Sequence, residues 1–247
     1  MHYQTIIYKK KGQVCYITLN RPQVGNAINT RMADELADVC QAIQCDGKIS
    51  VVILKSAGDV FSTGSDPEER DAKCDASGVI ARLEPVTIAA IDGVAMGEGL
   101  ELALACDIRV ASDRASFCLP HTAHGLIPSG GGTQRLPRLV GKGKALEMIL
   151  TAEPIDAEEA LNIGLVSKVV SPAKLISIVE DWAERITTQA PIALRYAKEA
   201  VNKGMDVTLE QGLRIEADLY FLIQTTEDRM EGINAFKEKR PPRFKGE

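Results

Sequence analysis

The stretch that decides the fold is Ile88-Ala-Ala-Ile-Asp-Gly-Val-Ala-Met-Gly-Glu-Gly-Leu-Glu101-Leu-Ala-Leu-Ala-Cys-Asp107. Its apolar start, within residues 87–91, predicts a buried strand. Glycine accepts positive φ and lets other groups approach the backbone closely, and three glycines follow the strand: Gly93, Gly97 and Gly99. The spacing of apolar residues after them predicts a helix that carries Glu101 near its start. Strand, glycine turn and helix in this order are typical of α/β proteins.

The helix predicted after this turn is suited to hold a developing negative charge. Its first N–H groups have no partner within the helix and lie at the positive end of the helix dipole. Glu101 lies within one turn of those donors, where it can transfer a proton beside the charge that they stabilise. The stretch is therefore a candidate catalytic site, although the same unit often has a purely structural role.

Two other segments resemble this arrangement. Upstream, Phe61-Ser-Thr-Gly-Ser-Asp66 follows a predicted strand at 51–56 and has a free backbone N–H at Ser65. Downstream, Pro120-His-Thr-Ala-His-Gly-Leu-Ile-Pro128-Ser-Gly-Gly-Gly-Thr-Gln-Arg-Leu136 indicates a loop that leads into another helix opened by glycines.

The remaining pattern alternates strands with helices and then becomes helical. Strands are predicted at 14–19, 51–56, 87–91, 107–111 and 116–119. A helix capped by Thr30 is predicted to run to about Gln44. Repeated units of this kind favour a mainly parallel sheet with helical crossovers. Four amphipathic helices follow, at 172–188, 191–203, 209–225 and 227–239. We therefore predict an α/β core over residues 1–170 and a helical region over 171–247.

Composition is that of a soluble globular protein. The 247 residues are 45% hydrophobic and 26% charged. The net charge of −5 argues against binding a nucleic-acid backbone. No apolar run approaches the roughly 20 residues that span a bilayer. The first residues lack the apolar core of a signal peptide, so we expect a cytoplasmic protein without a membrane partner.

Cysteines and histidines do not predict a metal site. The six cysteines form no C-x-x-C pair and are expected to be reduced thiols. His121 and His124 form an H-x-x-H in a predicted loop, but no third ligand is evident, so no metal is expected.

With four further segments, these turns resemble the enoyl-CoA hydratase/isomerase (crotonase) superfamily over nearly the whole chain. The segments are Leu19-Asn-Arg-Pro22 with Asn26-Ala-Ile-Asn29, Gly141-Lys-Gly-Lys-Ala-Leu-Glu-Met-Ile-Leu-Thr151, Ala157-Glu-Glu-Ala-Leu-Asn-Ile-Gly-Leu-Val166 and Arg229-Met-Glu-Gly-Ile-Asn-Ala-Phe236. The resemblance implies a spiral of β-β-α units followed by a C-terminal helical oligomerisation region. It also implies a homotrimer or a dimer of trimers.

The chemistry that the resemblance implies is activation of an acyl-CoA thioester. Two backbone N–H groups, here those of Ser65 and Glu98, would polarise the thioester carbonyl. Glu101 matches the first of two glutamates that hydratases use. Coenzyme A would enter as part of the substrate, with no separate cofactor. Substrate-binding positions would be Ser62, Thr63, Gly64, Asp66, Gly97, Gly99, Pro128 and Gly130.

The chain departs from the family pattern at functional positions. His121 stands where the second glutamate is expected, and it can orient water or transfer a proton but is not a carboxylate. The alternative is that His121 is a polar residue of the pocket wall with no role in proton transfer. Glu98 stands where a small residue is common. We expect its side chain to project to solvent, the alternative being that it turns inward and supplies the missing carboxylate. The segment between Asp66 and Pro85 is shorter than in typical hydratases, and Glu68 replaces a lysine near the CoA nucleotide.

Three functions stay open at this point. A hydratase would use Glu101 with His121 or Glu98. An isomerase would need only one base, which the retained Glu101 supplies. A non-catalytic acyl-CoA-binding protein would keep the glycine turns, while other residues could replace its catalytic acids.

Overall fold

The computed structural model describes residues 3–68 and 75–247, and all structural statements concern these residues. The strands are β1 (Ile6–Lys11), β2 (Val14–Leu19), β3 (Val51–Ser56), β4 (Val86–Ile91), β5 (Val94–Met96), β6 (Ile108–Ser112), β7 (Ser116–Cys118), β8 (Ile155–Asp156) and β9 (Lys168–Val170). The α-helices are α1 (Thr30–Gln44), α2 (Ala76–Ala81), α3 (Glu98–Leu104), α4 (Gly132–Val140), α5 (Lys142–Thr151), α6 (Ala157–Asn162), α7 (Pro172–Thr187), α8 (Pro191–Gly204), α9 (Leu209–Ile223) and α10 (Glu227–Glu238). Short 3-10 helices lie at Pro22–Val24 and Pro120–His124.

The main sheet has six strands in the order β1-β2-β3-β4-β6-β9. β1 pairs antiparallel with β2, and every other neighbouring pair is parallel. A central parallel strand is covered on both faces, and β3 is accordingly buried from Val51 through Leu54. The prediction of a mainly parallel sheet is confirmed. A second sheet, in the order β5-β7-β8, lies where the chain leaves β4.

Helix α1 covers one face of the main sheet. Its apolar residues recur at helical spacing, and Met32, Leu36 and Val39 are buried in the larger core cluster. The end of the helix at Gln44 was predicted correctly, but its cap was not. Asn29 is the N-cap, and its side chain accepts a hydrogen bond from the Met32 N–H at 2.9 Å. Asn is as good a cap as Thr, and only the extended backbone of Asn29 decides between the two neighbours.

Helix α7 covers the opposite face. Leu175, Val179 and Ala183 pack with the apolar side chains of β3, β4 and β6 in a second core cluster. The sheet therefore lies between two helical layers, and the turns that follow β3 and β4 are held at one edge of it.

The helices after α7 leave many apolar side chains on the surface. Their bounds agree with the prediction to within two residues. The exposed residues are Val201, Met205, Leu209, Leu213, Tyr220, Phe221, Leu222, Met230 and Phe236. Among the helices that the structure describes, none is both long and apolar enough to cross a bilayer.

Candidate active site

The two glycine turns meet at a parallel bridge between Ser62 and Ala95. The Ser62 N–H donates to the Val94 carbonyl at 3.0 Å, and the Met96 N–H donates to the Ser62 carbonyl at 2.9 Å. Gly64 then lies against the second turn with φ of 98°. A Cβ at Gly64 would stand 2.9 Å from the Met96 carbonyl oxygen, so only glycine fits without displacement. This contact places Ser65 beside the start of α3.

Two backbone donors are free at this junction. The Ile28 N–H donates to the Gly64 carbonyl at 2.7 Å, and the Asp66 N–H donates to the Ile28 carbonyl at 2.8 Å. Because both neighbours of Ser65 face Ile28, the N–H of Ser65 points the other way. Glu98 is the first residue of α3, where an N–H has no partner within the helix. Within the described part of the chain, neither N–H donates to a protein acceptor.

Glu101 is almost completely buried and is held by one of its two oxygens. The side chain is 1% exposed. Its Oε1 accepts hydrogen bonds from the N–H groups of Gly130 and Gly132, both at 2.8 Å. Its Oε2 lies 3.8 Å from Nε2 of His121. Burial raises the pKa of Glu101, and the two hydrogen bonds oppose that rise. One oxygen is therefore fixed while the other stays available for proton transfer.

The expectation that Glu98 projects to solvent is wrong. The residue is 9% exposed, and its Oε2 accepts a hydrogen bond from the Ser65 hydroxyl at 2.9 Å. All seven residues of α3 are buried, so its first residue has no solvent-facing side. Burial raises the pKa of Glu98 to about 7, the charges of Glu101 and Asp75 add to the rise, and the Ser65 hydrogen bond opposes it. The site therefore contains a second carboxyl group.

His121 lies in the 3-10 helix Pro120–His124, whereas a loop was predicted. Its side chain is 14% exposed and contacts the site through Nε2. Burial lowers the pKa of His121, with a smaller contribution from His124, so the imidazole is neutral at pH 7. Its Nδ1 is buried and has no hydrogen-bond partner among the described residues. In a neutral imidazole one nitrogen donates a hydrogen bond and the other accepts one. Depending on its tautomer, His121 can therefore donate or accept at the nitrogen beside Glu101.

Several positions expected to bind substrate help to build the turn itself. The Ser62 hydroxyl donates to the Asn26 carbonyl at 2.9 Å and accepts from the Gly64 N–H at 3.2 Å. The Asp66 carboxylate accepts from Arg21 at 2.8 Å, and this ion pair lowers its pKa. The side chains of Ser62 and Asp66 are thus engaged within the protein.

The other predicted positions line the same junction through backbone and shape. Gly97 lies against Gly64, and Gly99 approaches Ser62 so closely that a Cβ on it would collide with that side chain. Gly130 lies against Glu101, Pro128 packs against Gly132, and Thr63 packs against Gly25. Their contact with a substrate stays a prediction.

Sequence reasoning missed three parts of the site. Arg135 donates to the Gly130 carbonyl at 2.7 Å and places a positive charge near Glu101. Asp75 caps α2 and lies near Glu98. Ser77, on the same helix, faces Gly130. Only the long-range packing of α2 and α4 on α3 brings them here, and no local sequence signal indicates it.

The shortened segment between Asp66 and Pro85 falls partly outside the described residues, which resume at Asp75. Cys74 lies in the undescribed part. Glu68 is exposed, and its expected place near the CoA nucleotide stays a prediction.

Comparison with known proteins agrees with the geometry. The family model for enoyl-CoA hydratase/isomerase matches residues 9–247. A short-chain-enoyl-CoA hydratase of Clostridium acetobutylicum is 40% identical over 254 residues, which cover 97% of each chain. A mitochondrial methylglutaconyl-CoA hydratase of Mus musculus is 42% identical over 252 residues, covering 95% of this chain and 80% of that protein.

Solved structures agree with the predicted α/β, crotonase-like fold, which is confirmed. A 1.8 Å crystal structure of an enoyl-CoA hydratase from Bacillus anthracis superposes with a TM-score of 0.95 at 40% identity, covering 99% of this chain and 100% of that one. The identity and the coverage are both high enough to fix the relationship. This chain belongs to the enoyl-CoA hydratase/isomerase family.

Proposed function

We propose that this protein hydrates enoyl-CoA thioesters, with the N–H groups of Ser65 and Glu98 as an oxyanion hole and Glu101 as acid and base. The observation that carries the proposal is the Glu101 carboxylate, held through Oε1 by two backbone donors and open at Oε2. Relatives of 40% and 42% identity named as hydratases support it.

In the proposed reaction, the thioester oxygen accepts hydrogen bonds from the free N–H groups of Ser65 and Glu98. They stabilise the negative charge that develops on this oxygen as water attacks the β-carbon. The water oxygen bonds to the β-carbon as the π electrons of the double bond move toward the thioester, and Glu101 accepts one proton from the water. A second, protonated carboxyl group gives a proton to the α-carbon as the thioester carbonyl re-forms. The elements of water are thereby added across the double bond, and a proton transfer from Glu101 to the second carboxyl group restores the starting state.

We propose Glu98 as the second carboxyl group of this chemistry, in place of the glutamate that His121 replaces. A carboxyl group whose pKa is about 7 is present in both forms near neutral pH, which suits a group that gives and takes a proton. His121, neutral at that pH, would act as a hydrogen-bond partner for water near Oε2 of Glu101. In this proposal Glu98 and Glu101 exchange protons, whereas His121 stays neutral and only forms hydrogen bonds.

We propose that the acyl-CoA is bound along the two glycine turns and the loop before α4. The contacts would come from Ser62, Thr63, Gly64, Asp66, Gly97, Gly99, Pro128 and Gly130. Ser62 and Asp66 would act by fixing the shape of their turn, because their side chains bond within the protein. Coenzyme A would enter with the substrate, and the proposed chemistry needs no separate cofactor.

We further propose a cytoplasmic homotrimer or dimer of trimers, assembled through the helical region 171–247. The large apolar side chains exposed between Val201 and Phe236 support an interface there, because apolar side chains on a surface often mark sites of protein association. Light scattering of the purified protein tests this, and a monomer at micromolar concentration would contradict it.

Assays of hydration and of double-bond migration test the proposed activity. Wild type should hydrate a short-chain enoyl-CoA, and Glu98→Gln should lose at least about tenfold in kcat, because the amide cannot exchange a proton. Double-bond migration without hydration would indicate an isomerase that works through Glu101 alone. CoA binding without either reaction would indicate a non-catalytic protein.

A further inference from the structure

Helix α2 brings a buried hydroxyl group to the site. Ser77 lies in the first turn of α2 and is 1% exposed. Its Oγ is fully buried and has no hydrogen-bond partner among the residues that the structure describes. Most buried hydroxyl groups are hydrogen-bonded, because removing one from water without compensation destabilises the folded state. This hydroxyl therefore needs an explanation.

The position of the Ser77 hydroxyl suggests one. A Cβ on Gly130 would stand 3.1 Å from Oγ of Ser77 and 3.1 Å from Oε2 of Glu101. The two oxygens therefore both lie close to Gly130, and both can approach it because residue 130 has no side chain. Nε2 of His121 lies 3.8 Å from Oε2 of Glu101. Two polar groups, the Ser77 hydroxyl and the His121 imidazole, thus lie near the oxygen of Glu101 that Gly130 and Gly132 do not hold.

The Glu101 carboxylate, the Ser77 hydroxyl and the His121 imidazole are suited to bind a water molecule. A water molecule needs two to four polar partners, and a carboxylate, a hydroxyl and a neutral imidazole supply both donors and acceptors. A hydroxyl can donate to the water oxygen while the carboxylate accepts a water proton. That arrangement leaves the second lone pair of the water oxygen free to attack a carbon atom of the substrate.

We propose that Ser77 is a water-positioning residue, whose hydroxyl hydrogen-bonds to the water molecule that Oε2 of Glu101 activates. The inference rests on the proposed hydration, and it names the group that would orient the water molecule in that reaction. Ser77 belongs to α2, the helix that follows the shortened segment, so this chain would orient water from an element outside the two glycine turns.

Ser77→Ala tests the inference, with Ser56→Ala as the matched control. Ser56, at the end of β3, has another buried hydroxyl without a partner among the described residues. Two reactions are measured on each variant: hydration of a short-chain enoyl-CoA, and exchange of the α-protons of a saturated acyl-CoA with solvent deuterium. Exchange needs the oxyanion hole and the proton-transferring carboxyl groups but no water at the β-carbon.

We expect Ser77→Ala to lower kcat for hydration by about tenfold, the effect of one lost hydrogen bond to a reacting group. KM and α-proton exchange should stay within about twofold of wild type, because neither depends on a hydrogen bond to the attacking water. The Tm should stay close to that of wild type, because the hydroxyl has no hydrogen bond to another described residue to lose. Ser77→Cys, which fills the same space with a weaker donor, should show the same selective loss. Ser56→Ala should change neither reaction.

Two results would overturn the inference. Hydration at the wild-type rate in either folded Ser77 variant would show that the hydroxyl does not orient water. An equal loss of hydration and exchange would show that Ser77 only shapes Glu101. In both cases wild-type hydration leaves the proposed function standing, whereas failure of wild type to hydrate any enoyl-CoA would overturn the function and this inference together.

Discussion

Replacing Glu98 by glutamine should change how the stability of the protein depends on pH. Burial in α3 raises the pKa of Glu98 from 4.5 to about 7. One pKa unit corresponds to about 1.36 kcal/mol, so ionising Glu98 costs roughly 3 kcal/mol more in the folded chain than in the unfolded chain. The folded state holds this proton more tightly. The contribution of this proton to the free energy of unfolding is therefore fully present below pH 4.5, and it is lost as pH rises to about 7.

Glutamine cannot lose this proton, so Glu98→Gln should not show the loss. The free energy of unfolding of wild type relative to the variant should fall between pH 5 and pH 8, by up to roughly 3 kcal/mol. Urea unfolding at fixed protein concentration across this range measures the difference, and Glu153→Gln, at an exposed position, is the control. A difference that stays constant with pH would refute the claim that Glu98 is held as a buried acid.

Two other substitutions test the geometry of the site. Gly64→Ala should lower kcat by at least about tenfold and stability by about 1–3 kcal/mol, because φ is 98° there and the new Cβ would push on the Met96 carbonyl; unchanged steady-state kinetics would place the oxyanion hole elsewhere. His121→Ala should lower the hydration rate without changing the shape of the pH–rate profile near pH 7, because burial keeps this imidazole neutral there; a limb of the profile that disappears with His121 would assign the titration to histidine instead of Glu98.

The sequence predicted those parts of the fold that depend on local pattern. Strands β2 and β3 were predicted with their exact bounds, since their apolar runs are bounded by polar residues and turns. β1 was missed because its lysines hide the alternation of an edge strand. β5, β8 and β9 were missed because two or three residues give only a weak pattern, and β7, of the same length as β5 and β9, was the one such strand predicted. The Thr30 cap was wrong by one residue, since two adjacent residues can both serve as caps.

Within the site, backbone features were more predictable than side-chain directions. The turns at Gly64 and Gly97 meet, as the family resemblance implied by pairing the N–H groups of Ser65 and Glu98. The direction of Glu98 was predicted wrongly because it depends on the burial of all of α3, which is a tertiary property. No local sequence pattern indicated that Ser77 belongs to the site, since its place beside Glu101 depends on how α2 packs against α3 and the loop before α4.

Turnover by Glu101→Gln is the most direct test of the account. Glutamine keeps the size of the side chain and an oxygen to accept from Gly130 and Gly132, but it removes the base. We predict that hydration of a short-chain enoyl-CoA falls by at least about a thousandfold, within the range for loss of general acid–base catalysis, while the Tm and CoA affinity stay close to wild type. Activity within about tenfold of wild type, below the range that general acid–base catalysis contributes, would contradict the assignment of proton transfer to Glu101.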